Sequence, residues 1–350
     1  MGSWMLYGAN GYTAKLMLDI ALQRGHRPVI AGRNRDAIEA IARTHGLPAR
    51  IFDLSEPNTV ASALNGIDAV MHCAGPFSAT SAPMLEACLK SGAHYLDITG
   101  ELDVFAHCHQ QDARARERGI VVMPGTGFDV VPTDCLAAML KRDLPDAQAL
   151  VLAFEAGGGP SHGTALTAVE GLGKGGRVRR DGVVVTVPLA WKTRTFDRDG
   201  EARHAMTIPW GDVYTAHVST GIPDIEVYMG VSPATAARLR KLNFVRPLLG
   251  LGFVQNFMKK KIRSGGPDDG KRQNSGCTIW GEVRNAAGVE VKKQLRTANG
   301  YDLTATAAMG ILDHIIAKRP AGGFYTASQM MGADYILSLP GSHLIESAGA

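Results

Sequence analysis

The chain has 350 residues, 45% of them apolar and 20% charged, with a formal net charge of +4. That is ample for two domains and a sizeable core, and too thinly basic to argue for a nucleic-acid partner, since the longest basic run is Lys259-Lys260-Lys261. Five scattered cysteines with no C-x-x-C pair read as reduced thiols of a cytoplasmic protein, and no charged start leads into an apolar run as a secretory leader would.

Ser3–Tyr7 reads as a short buried strand. It runs into Gly8-Ala9-Asn10-Gly11-Tyr12-Thr13-Ala14 and then into a helix carrying Leu16, Met17 and Ile20. Gly25 stops that helix, and Pro28–Ala31 is a second strand ending at Gly32-Arg33. This is the order of a βαβ unit that holds a dinucleotide. Gly8 permits the tight turn, Gly11 lets the backbone approach a pyrophosphate, and Ala14 allows close helix–strand packing. Asn10, Tyr12 and Thr13 complete the binding turn, and the helix N-terminus offers N–H groups to phosphate. The spacing, G-x-x-G-x-x-A, is one residue longer than the usual fingerprint, so the strand before it and the helix after it carry much of the signal. An NAD enzyme places Asp or Glu at the end of the second strand. Here Arg33 stands there, followed by Asn34 and Arg35. Two guanidiniums suit a 2′-phosphate, which makes NADP(H) the expected cofactor.

Asn34 is placed to cap a helix that ends at Gly46. Ile51-Phe52-Asp53 is a third strand. A short helix after Pro57 ends near Gly66, and Ala69–Cys73 is a fourth strand closed by Ala74-Gly75-Pro76-Phe77. Beyond a helix stopped by Gly92, His94–Ile98 is a fifth strand leading to Thr99-Gly100-Glu101. After one more polar helix, Ile120–Met123 is a sixth strand, ended by Pro124-Gly125. Short apolar strands alternating with helices predict an α/β fold whose first part is a Rossmann-type, doubly wound parallel sheet. Ligands of such sheets bind outside the carboxyl ends of the strands. The loops at 8–13, 32–35, 53–54, 74–78, 99–101 and 124–129 are therefore expected to share a crevice.

Past residue 130 the pattern changes. Gln148–Glu155, Val183–Val187, Ala190–Phe196, Ile222–Gly230, Cys277–Arg284 and Val289–Thr297 read as strands with few helices between them. They predict a second α+β domain with a mixed or antiparallel sheet. Leu303–Ile316 is a strong helical pattern. The expected division is a nucleotide domain over 1–130, with 300–350 packing back on it, and a substrate and dimerisation domain over 131–299.

Four ordered motifs, namely 8–13, 73–77, 95–101 and 125–134, resemble those of the saccharopine dehydrogenase-like oxidoreductases. Gly163-Thr164, Trp280-Gly281-Glu282 and Gly300-Tyr301-Asp302-Leu303-Thr304-Ala305 are similar to that family as well. The family includes saccharopine reductases, which act on C=N, and trans-acting enoyl reductases, which act on C=C. The resemblance implies hydride transfer to or from a small-molecule or acyl substrate. It also implies that Ala74, Gly75 and Pro76 lie against the nicotinamide ribose, with Thr99, Gly100 and Glu101 lining the same pocket. Ala14 departs mildly, standing where many members carry Gly.

The proton donor stays open among Glu101, Asp129, His162 and Tyr301. Glu101 and Asp129 are the catalytic candidates, against the readings of a helix-terminal carboxylate and a turn residue. Asp53 reads equally as an adenine contact and as a turn or cap residue. Gly159-Pro160-Ser161-His162-Gly163 spells G-x-S-x-G, but a hydrolase elbow belongs to the main parallel sheet, which the nucleotide already uses. His107 and His109 stand at i and i+2, which do not share a helix face, so no metal is expected. Leu248–Met258 reads as a core or dimer-contact helix in preference to one resting on a membrane, and it is too short to span one. A homodimer is expected. No Tyr-x-x-x-Lys pair exists, which removes the short-chain dehydrogenase mechanism. The alternative to an enzyme is a non-catalytic NADP-sensing protein.

Overall fold

A computed structural model describes residues 2–157, 162–262 and 276–345. At 58 and 162–164 it describes the backbone alone. The chain divides into two compact units. One comprises residues up to Val131 with Tyr301–Met331, the other Pro132–Gly300 with the residues from Gly332 on.

The first unit alternates strand and helix. β1 (Trp4–Tyr7), α1 (Tyr12–Gln23), β2 (Val29–Gly32), α2 (Arg35–His45), β3 (Ala49–Ile51), α3 (Pro57–Ala63) and β4 (Ala69–His72) come first. α4 (Phe77–Ser91), β5 (His94–Asp97), α5 (Leu102–Gln110), α6 (Asp112–Arg118) and β6 (Val121–Met123) follow. Every residue of β1, β2, β4 and β6 is buried. That explains their largely apolar runs, because helices cover both faces of such a sheet. α2 and α4 stop at Gly46 and Gly92, which take left-handed backbone.

The strand order is β3-β2-β1-β4-β5-β6, all parallel, with a seventh strand beyond β6. The order reverses between β1 and β4, and that switch point is where ligands of such sheets sit. The seventh strand was not expected from sequence. It is the two-residue β15 (Gly323–Phe324), which follows the long helix α13 (Gly300–Lys318) and pairs parallel with β6.

The second unit holds α7 (Val131–Asp143), β7 (Ala149–Ala156), α8 (His162–Lys174), β8 (Gly176–Arg180), β9 (Val183–Val187), β10 (Thr193–Arg198) and β11 (Glu201–Thr207). α9 (Asp212–Thr220), β12 (Asp224–Gly230), α10 (Pro233–Leu242), α11 (Arg246–Leu249), α12 (Gly252–Lys260), β13 (Cys277–Arg284) and β14 (Glu290–Thr297) complete it, with β16 (His343–Ile345) at the end. Its sheet runs β10-β11-β12-β7-β13-β14-β16, with β8 and β9 branching from β12. β12 pairs parallel with β7, and the other neighbours are antiparallel, so the sheet is mixed. One face lies on α7, where Gly281 leaves room for Leu136 and Leu140. The other carries an apolar cluster of Ala153, Ala205, Tyr228 and Trp280. Residues 300–350 do not travel together. β15 completes the first sheet, whereas β16 pairs with β14 of the second.

Candidate cofactor and active site

The turn after β1 is built as its sequence suggests. Gly8 has φ +82°, and a methyl there would stand 2.8 Å from the Ala74 amide nitrogen. Only glycine therefore lets the turn after β1 and the loop after β4 touch. Gly11 is the N-cap of α1, in extended backbone, and as a glycine it brings no side chain of its own to cap the helix. α2 differs, because the Asn34 side chain accepts from the Ala37 N–H at 3.1 Å. One helix start is closed by the side chain of its own N-cap, and the other has a glycine there. Asn10 reaches toward the end of β2, its Oδ1 3.9 Å from where a Cβ on Gly32 would stand. Tyr12 packs edge-to-face on Tyr301 of α13, ring centroids 5.1 Å apart.

The two arginines after β2 separate in the structure. Arg35 pairs with Glu39 one turn along α2 at 3.0 Å. Arg33 is exposed and pairs with no carboxylate among the described residues. Of the two guanidiniums expected to meet a 2′-phosphate, Arg33 is the one at liberty to do so. Asp53 is exposed at the end of β3 and accepts from the Ser55 N–H at 2.8 Å. Hydrogen bonding from the Ser55 side chain, then from its N–H, with Arg33 adding a smaller electrostatic pull, holds its carboxyl below the usual range. Asp53 thus acts as a turn residue in this structure. Burial pushes the neighbouring Tyr7 hydroxyl up to about 12, and it donates to the Phe52 carbonyl at 3.1 Å.

The loop after β4, Ala74-Gly75-Pro76, is pinned by Thr80, whose hydroxyl lies 2.6 Å from the Ala74 carbonyl and 3.1 Å from that of Pro76. Behind it lies His72, fully buried, with Nε2 3.1 Å from Thr80 Oγ1 and Nδ1 without a hydrogen-bond partner. Burial lowers its pKa to about 3, so the ring is neutral at physiological pH.

The loops after β5 and β6 meet through Asp97, a buried carboxylate that sequence reasoning left without a role. It accepts from the Tyr95 hydroxyl at 2.6 Å and from the N–H groups of Thr99 and Gly125, each at 2.9 Å. Burial raises it to about 6, against the pull of those bonds. Its only sequence signal is an acid closing an otherwise apolar strand. Thr99 is buried, and its hydroxyl accepts from the Glu101 N–H at 3.0 Å. The Glu101 carboxylate reaches across to α4. One oxygen accepts from the Phe77 N–H at 2.9 Å and the other from the Ser78 N–H at 2.8 Å. Glu101 therefore caps α4 from outside and ties the loop after β5 to the loop after β4.

Asp129 is the opposite case. It is half-buried, and no hydrogen bond reaches its carboxyl among the described residues. Burial pushes its pKa up to about 7. It lies directly over Gly100, so close that a methyl on Gly100 would stand 2.7 Å from Oδ2. The sequence leads one to expect 99–101 and Asp129 in one crevice, and the structure brings Gly100 and Asp129 into contact. α13 supports this loop from the other side, with the Phe128 N–H donating to Thr304 Oγ1 at 2.9 Å. Two motifs far apart in sequence, 125–134 and 300–305, meet at that bond.

The remaining expectations fall elsewhere. Gly159, Pro160 and Ser161 lie outside the described residues, as do the side chains of His162 and Thr164. His109 stacks on Phe324 at 4.7 Å, and no cluster of three or more metal-ligating side chains occurs among the described residues. A cleft of about 450 Å³ opens on the face of the second sheet. Its walls are largely self-neutralising, with Glu226 paired to Arg180 and Lys192, and Glu282 paired to Arg194. None of the expected site residues lines it.

Residues 4–123 match the saccharopine dehydrogenase NADP binding domain. The first unit carries a saccharopine dehydrogenase NADP-binding domain. Its cofactor is a nicotinamide dinucleotide. The trans-acting enoyl reductase of Mycobacterium tuberculosis is 29% identical over 152 residues, 39% of this chain and 35% of that protein. The saccharopine dehydrogenase-like oxidoreductase of Mus musculus is 24% identical over 202 residues, 50% of this chain and 47% of that protein. The chain spans less than half the length of these curated relatives. Apo saccharopine dehydrogenase (L-Glu forming) of Saccharomyces cerevisiae shares the fold, with a TM-score of 0.66 at 10% identity, over 99% of this chain and 100% of that one.

Proposed function

We propose that this chain is an NADP(H)-dependent oxidoreductase that moves a hydride to or from a C=N or C=C bond of a small or acyl substrate. Asp129 is the carboxyl that handles the proton. The observation that carries this reading is Asp129, without a hydrogen-bond partner among the described residues and with its pKa raised to about 7, packed over Gly100 at the carboxyl end of a parallel sheet. A carboxyl with a pKa near the working pH is suited to give and take a proton.

The chain's own residues fit a dinucleotide. The Gly8 turn admits backbone only, the N-cap of α1 is a glycine, and Arg33 is exposed and without an acidic partner among the described residues. Gly8, Asn10, Gly11, Tyr12 and Thr13 would hold the pyrophosphate. Arg33 would bond the 2′-phosphate, with Asn34 and Asp53 beside it. Ala74, Gly75, Pro76, Thr99 and Gly100 would border the nicotinamide. When bound, the cofactor supplies or accepts the hydride. Asp129 then delivers a proton to the atom left electron-rich, the nitrogen of a C=N or the α-carbon of a conjugated C=C. In the reverse direction it removes that proton. Glu101 and Thr80 keep the loops after β4 and β5 in register, so the reacting atoms and Asp129 keep their spacing.

A fluorescence titration with NADPH and NADH tests the cofactor side. NADPH is expected to bind much more tightly, and Arg33→Ala to weaken it by ~2–3 kcal/mol, the scale of a charge-assisted bond, with little change for NADH. Equal affinity for the two cofactors would remove the phosphate role of Arg33. Oxidation of NADPH is then followed with enoyl thioesters and with imines formed from 2-oxo acids and amines. Tight NADPH binding with no turnover across that panel would transfer the reading to a redox sensor.

A further inference from the structure

The segment from Val231 to Ile262 contains seven arginines and lysines and no aspartate or glutamate. It folds as α10, a single 3₁₀ turn at Asn243–Val245, then α11 and α12. The apolar run within it reads from sequence as a core or dimer-contact helix, and the structure corrects the core reading. Phe244 is 91% exposed, Phe253 74% and Phe257 60%, and Leu248 and Leu251 are exposed beside them.

The reason is which face of α12 docks. Gln255 and Lys259, one turn apart, face α8. Lys259 Nζ pairs with Glu170 at 2.6 Å, and Gln255 Nε2 lies 3.5 Å from the Glu170 carbonyl. Gly250 packs against Gly173, where a methyl would stand 2.5 Å from the Gly250 Cα. α12 is thus held by its polar side. Phe253 and Phe257, also one turn apart, are turned outward. Lys261 Nζ sits 4.4 Å from the centroid of the Phe257 ring, and neither Lys260 nor Lys261 pairs with a carboxylate among the described residues.

Large apolar side chains projecting from short helices, bordered by cations that pair with no carboxylate among the described residues, call for a partner that is apolar at depth and anionic at its rim. A second copy of this chain is a poor match. A two-fold contact would lay one all-cationic segment on another. A membrane leaflet bearing anionic headgroups supplies both properties, since its surface potential attracts each cation near it.

We propose that residues 243–261 dock this protein on an anionic lipid surface. Phe244, Phe253 and Phe257 enter the boundary between headgroups and acyl chains, and Lys260 and Lys261 meet the phosphates. No helix among the described residues is long and apolar enough to cross a membrane, so the attachment is peripheral.

Flotation of the full chain with vesicles tests this, using phosphatidylcholine alone and phosphatidylcholine with phosphatidylglycerol. Binding is expected with the anionic vesicles, weakened by salt. Phe253→Ser combined with Phe257→Ser should lower the partition coefficient by about tenfold or more, because their rings no longer leave water. Lys260→Glu with Lys261→Glu should remove the preference for phosphatidylglycerol. Both pairs are exposed, so thermal stability should not move. The proposal is overturned if no chain floats with anionic vesicles, or if the Phe double variant floats as well as the parent. It is also overturned if sedimentation shows self-association that the Phe substitutions abolish, which would give the face to a second copy.

Discussion

The loop after β5 and the loop after β6 each carry one acid, and their surroundings are opposite. Glu101 receives two backbone N–H groups from the start of α4. Asp129, packed over the Cα of its neighbour Gly100, receives none among the described residues and is pushed to about 7. The same functional group is therefore a fastener in one loop and a titrating acid in the other. The supply of donors decides, because donors favour the charged form and burial without them favours the neutral one.

The strongest way to break this comparison is to remove the charge from each acid in turn. Asp129→Asn should cut turnover by ~10²–10⁴-fold, the usual worth of a positioned proton donor, while NADPH affinity holds. Full activity in that variant would end the proton role. Glu101→Gln should do the reverse. An amide nitrogen would face the Phe77 or Ser78 N–H, costing ~1–3 kcal/mol of folding stability, while turnover changes far less than in Asp129→Asn. A thermal midpoint that does not move would show that the bridge to α4 carries no weight.

Gly100→Ala tests the contact between the loops. Its methyl would fall 2.7 Å from Asp129 Oδ2, so one loop must shift. Overpacking of this kind costs ~1–3 kcal/mol. The pH–rate profile should move with Asp129, and an unchanged profile would mean that the carboxyl is elsewhere in solution.

The last test is the pH dependence of stability. Asp129 is raised from 3.8 to about 7 in the folded chain, so between those values the folded state keeps a proton that the unfolded state has released. Stability should therefore fall as pH rises through that window. Asp97, raised to about 6, acts in the same direction. Asp129→Asn removes one of the two titrations. Its melting temperature should gain on the parent from about pH 4 to about pH 8, and a constant gap would contradict the raised pKa.

Much of the first unit was legible because its signals are local. Strands buried on both faces show as unbroken apolar runs, and Gly46, Gly92 and Gly119 mark helix ends. The second unit was harder. β11 begins Glu-Ala-Arg-His and reads as polar, yet it is stitched between β10 and β12. α9, Asp-Val-Tyr-Thr-Ala-His-Val-Ser-Thr, is rich in β-branched residues and folds as a helix only because tertiary packing overrides propensity. β8, with three arginines in five residues, shows no apolar pattern. In the candidate site the positions were legible, but the roles depended on distant partners. The donors to Glu101 lie 24 and 23 residues back in the chain, and Thr304 reaches Phe128 across 176 residues. Arg35 was the exception. Its partner Glu39 stands four residues on, a helix pair visible in the sequence itself.

The two-residue strand β15 has a consequence for how the chain is made. A ribosome that has released residues up to Val131 has supplied six of the seven strands of the first sheet, with β6 an open edge. The strand that closes that edge emerges only at Gly323, after the whole of β7 to β14. Through that interval the nascent nucleotide-binding unit presents unpaired backbone to its surroundings, the condition under which strands join wrong neighbours. A chain stopped before Gly323 should therefore expose this edge permanently and aggregate at concentrations where the full chain does not.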